Sequence, residues 1–506
     1  MKKLTLFAFF AMTASMVMTV YEYPTFATSG LNLVFYLLIG GFLWFLPVSL
    51  CSAEMATVDG WQAGGIFSWV SGMMGERFGF AAIFFQWFQI TVGFVTMIYF
   101  IIGALSTVLD WKALNSTPWI KFVAVLVIFW AITLSQLQGT AFTAKLAKIG
   151  FIFGIIIPAV VLFVLGISYI AGGNPLQITF SAKALMPDFS KASTLVVFVS
   201  FILAFMGVEA SASHINELDN PKRNYPLCMI MLVILAIVLN TIGGLTVAST
   251  ISSSDLNLSS GVVQTISTLF LHFNKGLGWA VTVVALLLIL GVIGEVASWV
   301  VGPSRGIYAA AQKGLLPPKF ASVNKHDVPV FLVMIQGIIV TAWAAVLTFG
   351  SGGSSNLSFL IAISLTVVIY LVGYLLLFIA YLKLAGRGDI ERSYHVPGGK
   401  PGKYIFAIVG FIVSAFALVI SFVPPSTLAS GESGAYMTIL IISFVVTLIA
   451  PFVIYQVYGR KHSDPNYQHV HLKHHEQNKF VHPRARGEHA IAPKAENRPD
   501  KAEPSS

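Results

Sequence analysis

Residues 200–218 read SFILAFMGVEASASHINEL. Two apolar halves meet around Met206-Gly207, and a carboxylate follows at Glu209. The small residues Ala210, Ser211, Ala212 and Ser213 then lead to His214. A carboxylate in the hydrocarbon of a bilayer is expensive unless it is paired, hydrated or protonated. Glycine and serine inside a span allow a helix to open, provided that the freed backbone groups are re-satisfied. An opened helix offers carbonyls at one half and amides at the other, which suit the ammonium and the carboxylate of a zwitterion. The stretch therefore predicts an interrupted membrane helix at a binding site.

The rest of the chain sets this stretch in a membrane. Of 506 residues, 56% are hydrophobic, 13% aromatic and only 10% charged, with a mean hydropathy of +0.81. Soluble domains run near 25% charged. The same composition excludes nucleic-acid binding as a reading of the net charge of +9. A membrane helix needs about 20 mostly apolar residues. Twelve runs qualify: 4–28, 31–53, 80–108, 119–138, 147–171, 193–213, 227–251, 278–304, 329–349, 357–382, 404–423 and 436–458. The fold class is an all-α membrane protein of twelve transmembrane helices. Between them, GWQAGGIFSWVSGMMG at 60–75 is too short to span and reads as an interfacial or loop helix. Lys2 and Lys3 before the first run mimic a secretory signal, but the run continues through Tyr21, Glu22 and Tyr23 with no A-x-A site, so it reads as a span. Cys51 and Cys228 are too few for a disulfide framework and read as small buried residues.

The basic residues orient the bundle. With the N-terminus inside, 16 of the 30 Lys and Arg fall in inner loops, 5 in outer loops and 9 in the tail after residue 458. The positive-inside rule then puts both termini in the cytoplasm. No Lys or Arg lies mid-span, so no voltage-sensing row of arginines exists. No segment resembles a selectivity filter.

Three carboxylates, Glu22, Glu209 and Glu295, lie well within apolar runs, and Glu54 ends the second run. Intramembrane ionisable residues are functional candidates by default. The competing reading is a carboxylate bonded to neighbouring helices for structure, and for Glu54 a loop anchor. Trp299 lies four residues after Glu295 and shares its helix face. Tyr370 and Tyr374 are likewise four apart, and Tyr21 sits in the first span. Aromatics with polar tips suit a cavity holding both methylenes and charged ends. An interfacial belt is the alternative for Tyr21, while Tyr374 is mid-span.

These residues carry a resemblance. EMATVDGWQAGGIFSWVSGMMGERFGF (54–80), GVEASASHINELDNPKRNYP (207–226) and SRGIYAAAQKGLLPPKFASVNKHDVP (304–329) resemble segments of the amino acid/polyamine/organocation transporter superfamily. Within it, FFAMTASMVMTVYEYPTFATSG (9–30), FMGVEASASHINEL (205–218), GEVASWVVGPSRG (294–306), FLIAISLTVVIYLVGY (359–374) and FVHPRARGEH (480–489) resemble the bacterial glutamate/γ-aminobutyrate antiporters of acid resistance. The resemblance implies a LeuT-like fold of two inverted five-helix repeats, roughly 1–171 and 193–383, with helices 1 and 6 broken. Two extra helices over 404–458 complete a transporter domain of residues 1–458. It implies exchange of extracellular L-glutamate for intracellular γ-aminobutyrate at acid pH in a bacterial inner membrane, in functional coupling to a cytosolic glutamate decarboxylase. It points to Tyr21, Met206, Gly207, Glu209, Glu295, Trp299, Tyr370 and Tyr374 as the substrate cavity. One departure stands out: the glycine-rich break of many α-amino acid members corresponds here to Ser15-Met16-Val17-Met18-Thr19. Without glycine, a less open amide nest is expected.

Residues 459–506 carry 9 Lys and Arg, 6 Asp and Glu and 7 of the 11 His. Free histidine titrates near pH 6.5, so the charge of this segment rises steeply in acid. A polar, proline-containing segment without periodicity reads as disordered. Three readings compete: a solvated tail, a metal-binding tract at HVHLKHH (469–475), and a pH-responsive plug through His482, Arg484 and Arg486. No cofactor, metal site or nucleic-acid partner is expected beyond that tract. An exchanger of another amino acid or polyamine, a proton-coupled symporter, a membrane enzyme and a transporter-like sensor are the rival functions. No nucleophile–base motif or phosphate loop supports the enzyme.

Overall fold

Among the described residues, ten apolar runs form single helices long and apolar enough to cross a membrane, and two more are interrupted. A computed structural model describes residues 5–61, 64–212, 215, 218–301, 304–429 and 431–463. His482, Arg484 and Arg486 of the tail, and Ser213 and His214, lie outside the described residues.

The first run appears as α1 (Leu6–Val17) and α2 (Tyr23–Ala27), separated by a non-helical stretch over 18–22. Continuous helices α3 (Gly30–Ala56), a short α4 (Ile66–Met74), α5 (Glu76–Val108), α6 (Pro118–Gln138) and α7 (Lys145–Ala171) follow. The run over residues 193–213 is again split, into α8 (Ala192–Leu203) and α9 (Val208–Ala212). Next come α10 (Pro221–Thr250), α11 (Gly261–Phe273), α12 (Lys275–Val300), α13 (Ser304–Gln312), α14 (Val330–Gly350), α15 (Ser355–Ala385), α16 (Gly399–Ile420) and α17 (Ser433–His462). The described residues contain no strand, and Val58 and Arg392 form an isolated antiparallel bridge. Prolines at the first turns of α6 and α10 fit this pattern, because their missing amide is one that helix starts leave unpaired. The 60–75 segment is a loop helix: α4 buries Phe67, Trp69 and Val70 against α5 and α15. The helix α11 was not anticipated, since its 13 residues fall below the length that a span requires.

Burial sorts these helices. α5 and α15 are enclosed, with 89% and 83% of their most apolar windows buried, against 22% for α17. α5 and α15 pack on each other at the centre. The outer helices expose Ile152, Phe153, Val160 and Val164 on α7, and Ile412, Val445, Val446 and Ile449 on α16 and α17. Apolar surface on this scale belongs in lipid. α12 packs against the part of α7 that is π-helical over Gly150–Ile156. There a Cβ on Gly154 would lie 2.2 Å from the backbone of Gly291, so the two helices touch through their main chains. Close approach of this kind is what small residues provide in membrane bundles.

Glu54, fully buried at the end of α3, is the loop anchor that its position suggested. Its Oε2 accepts from Tyr381 Oη and from the Val396 amide, both at 2.8 Å. Its Oε1 lies 2.7 Å from Arg392 Nε and 2.5 Å from Lys403 Nζ. One carboxylate thus ties the 386–398 loop and the start of α16 to α3. Glu54→Ala leaves two buried cations uncompensated, which costs on the order of 3–5 kcal/mol. The melting temperature of the purified protein is expected to fall accordingly, whereas Asp188→Ala in an exposed loop pair is expected to leave it unchanged.

Candidate functional site: a cavity between two interrupted helices

The two interruptions meet at one cavity. The first contributes Thr19, Tyr21 and Glu22, and the second contributes Met206 and Gly207, with Leu203 from the end of α8. α5 adds Gln89, Ile90, Gly93, Thr96 and Met97, α12 adds Glu295 and Trp299, and α15 adds Thr366. The space among these residues, including its mouth, is about 550 Å³.

The second interruption has a specific cause. Residues 204–207 form turns instead of helix, and Gly207 takes φ +94°, a conformation that side chains with a Cβ rarely adopt. A Cβ there would also meet the Trp299 ring at 3.0 Å. The freed Gly207 amide donates to Tyr374 Oη at 3.1 Å. That hydroxyl donates onward to Glu209 Oε2 at 2.7 Å. Glu209 Oε1 accepts from Tyr370 Oη and, at 2.9 Å, from Gln86 Nε2. Tyr370 and Tyr374 stand with ring centroids 4.3 Å apart, and Trp44 meets Tyr374 edge-on. Three donors from α5 and α15 thus hold Glu209, and through Tyr374 the same network holds the break.

The first interruption is built without glycine. Among the described residues, none of 18–22 has a positive φ, in keeping with the absence of glycine there. Tyr23, Pro24, Thr25 and Phe26 of α2 are all buried, and Tyr23 lies against Gly243 of α10.

The cavity is lined by two acidic side chains. Glu22 and Glu295 both line it, and among the described residues the Oε2 atoms of both are buried without a hydrogen-bond partner. The two carboxylates are close enough to interact electrostatically. No Lys, Arg or His is among the described lining residues. The C-terminal ends of α1 and α8 and the N-terminal ends of α2 and α9 flank the two breaks, which offer both carbonyls and amides there. Such a cavity suits an ammonium and disfavours a net anion.

Of the residues expected here from sequence, Tyr21, Met206, Gly207, Glu295 and Trp299 line the cavity. Glu209, Tyr370 and Tyr374 instead form the closed network that joins it at the Gly207 amide. Sequence reading passed over Gln86, Gln89, Thr96 and Thr366. Their signal was a polar stripe: Gln86, Gln89, Gly93 and Thr96 recur at helical spacing on one face of an otherwise apolar α5. Thr366, Tyr370 and Tyr374 do the same on α15.

Comparison with known proteins places this architecture. The model of the family described as amino acid permease matches residues 4–445. The chain belongs to the amino acid permease family. It is 64% identical over 497 residues to a glutamate/γ-aminobutyrate antiporter of Lactococcus lactis subsp. lactis, which covers 98% of this chain and 99% of that protein. A glutamate/γ-aminobutyrate antiporter of Lactococcus lactis subsp. cremoris is 65% identical with the same coverage. An uncharacterized transporter of Legionella pneumophila is 30% identical over 87% of this chain and 93% of its own length. The permease is therefore a multi-pass membrane transporter and not an enzyme. In this permease, Tyr374→Phe removes both a donor to Glu209 and the acceptor of the Gly207 amide. Its purified form is expected to lose about 1–3 kcal/mol of stability and to transport more slowly, as read by melting temperature and by uptake into proteoliposomes. Thr28→Val, which removes a local bond at 2.7 Å far from the network, is expected to do neither.

Proposed function

We propose that this permease exchanges extracellular L-glutamate for intracellular γ-aminobutyrate by alternating access, one substrate per half-cycle. The observation that carries the reading is the cavity between two interrupted helices, lined by two unpartnered carboxylates and by no cation. Two relatives at 64–65% identity over nearly the whole chain are glutamate/γ-aminobutyrate antiporters, which supports it. Exchange is obligatory if the empty carrier rarely reorients. Tyr21, Met206, Gly207, Glu295 and Trp299 contact substrate in this account, while Glu209, Tyr370 and Tyr374 set the shape of the break.

In the same reading the chain crosses the membrane twelve times. The split runs are helices 1 and 6 of inverted repeats over 1–171 and 193–383, and the helices over 404–458 are additional. The bias of basic residues toward the inner loops supports cytoplasmic termini and a bacterial inner membrane. A cytosolic decarboxylase that forms γ-aminobutyrate and consumes a proton would supply the outgoing substrate and link exchange to acid resistance. The tail over 459–506 serves as a plug at neutral pH: neutral His482 enters a low-dielectric mouth beside Arg484 and Arg486, and charging it there is costly. Acid then expels the plug. Ser463, the last described residue of the chain and part of this segment, donates to Glu76 at 2.7 Å, and Glu76 pairs with Lys313.

A cavity with two carboxylates also suits a diamine, and a probable agmatine/putrescine antiporter of Lactococcus lactis is 24% identical over 75% of this chain. Exchange of a polyamine is therefore the second reading. The two separate in proteoliposomes loaded with γ-aminobutyrate and offered labelled glutamate or putrescine. Glutamate uptake is expected to require the internal amino acid; uptake without it identifies a symporter, and uptake of putrescine alone supports the second reading. The glutamate side chain titrates near 4.3, so its less charged forms fall about tenfold for each pH unit above that value. Glutamate uptake at pH 5 is expected to exceed that at pH 8 by at least about tenfold; equal rates contradict the charge argument. Deleting 470–506 is expected to extend activity toward higher pH, and an unshifted profile contradicts the plug.

A further inference from the structure

Among the described residues, Glu22, Glu54 and Glu209 are buried and Glu295 is half-buried, and the four divide into two kinds. Glu54 is held by Tyr381, Val396, Arg392 and Lys403, and Glu209 by Gln86, Tyr370 and Tyr374. Both are saturated, and what they do is hold a loop and a helix break. Glu22 and Glu295 are the reverse: each has a buried Oε2 with no hydrogen-bond partner among the described residues, and both face the cavity.

Glu22 is the more informative of the two. It occupies the N-cap position of α2 and makes no capping bond. Its backbone carbonyl already serves the helix by accepting from the Phe26 amide at 3.1 Å. Packing of Tyr23, Pro24, Thr25 and Phe26 holds α2 in place. No hydrogen bond ties its Oε2 to the described fold, although the residue is only 2% exposed. A buried carboxylate needs a partner, water or a proton, and a donor that enters the cavity supplies the first.

We propose that Glu22 binds the ammonium group of the substrate and that Glu22 and Glu295 together form a two-carboxylate ammonium subsite. An alkylammonium carries three donors and no acceptor, which allows it to bridge two carboxylates from different helices. Glu22 stands at the break between α1 and α2, and Glu295 stands on α12, which packs against α7. The ammonium thereby links an interrupted helix to a continuous one. The subsite recognises a feature that glutamate and γ-aminobutyrate share: γ-aminobutyrate is glutamate without its α-carboxylate, so both carry an ammonium at the same spacing from the distal carboxylate, and a common ammonium anchor lets one cavity take both. This inference rests on the proposed exchange function and names the group that the cavity recognises.

The test uses the full-length protein in proteoliposomes, comparing wild type with Glu22→Gln and Glu22→Asp. Glu22→Gln is expected to raise the KM for γ-aminobutyrate at least tenfold with a smaller change in maximal rate. Glu22→Asp is expected to recover most of that loss. The melting temperature without substrate stays at the wild-type value. Inhibition by glutarate, which is glutamate without its amine, is not weakened by Glu22→Gln. A wild-type KM in Glu22→Gln, or an equal loss of glutarate inhibition, overturns the inference. If Glu22→Gln does not fold, Glu22→Ala is read by the same two measurements. A wild-type protein that exchanges neither amino acid overturns the proposed function and this subsite with it. Normal exchange by wild type with unchanged KM in the variant overturns the subsite alone.

Discussion

An unwound segment inside a membrane bundle persists only if the polar groups it frees are bonded within the protein. In this permease that constraint falls on the amide of Gly207, and the hydroxyl of Tyr374 meets it. Tyr374 is oriented by Glu209, and Glu209 by Tyr370 and Gln86. The chain of bonds runs from the break into α5 and α15, the two most enclosed helices. The most rigid part of the bundle therefore holds open the most irregular part. Removing the break would return Met206, Gly207 and Leu203 to a continuous helix and close one wall of the cavity.

The same accounting separates structure from function among the acidic residues. A saturated carboxylate in a low-dielectric interior orders whatever it is bonded to. An unsaturated one raises the energy of the empty site and lowers it again when a cation arrives. Glu209 and Glu54 belong to the first class, Glu22 and Glu295 to the second. No lysine or arginine is among the described lining residues to compensate an anion. Main-chain contact between α7 and α12 at Gly154 and Gly291 keeps the helix that carries Glu295 and Trp299 close to its neighbour.

Much of this was legible in the residues. The Met206-Gly207 junction marked the second break because glycine and serine inside a span allow a helix to open, and the structure puts the turn at 204–207. Glu54 read as a loop anchor from its position at a helix end. The first break was harder to place: its glycine-free stretch was sought at 15–19, and the non-helical residues are 18–22. What sequence could not supply was the division of labour among Glu22, Glu209 and Glu295, because it depends on which donors other helices bring. Gln86 reaches Glu209 across 123 positions, and Tyr370 across 161. No local pattern encodes such a partner, although the polar stripe on α5 showed that one face of that helix was not made for lipid. The 13-residue α11 escaped for a simpler reason, since a search for spans does not see short amphipathic helices.

The central claim is that substrate binds between the two breaks, with its ammonium on the unpartnered carboxylates. The most direct measurement is an experimental structure of the protein with γ-aminobutyrate bound. The account predicts the ligand between Glu22, Glu295 and Trp299, with its nitrogen at hydrogen-bond distance, about 3 Å, from a carboxylate oxygen of Glu22 and of Glu295. A ligand bound outside this cavity, or bound within it with its carboxylate facing those two residues, would contradict it.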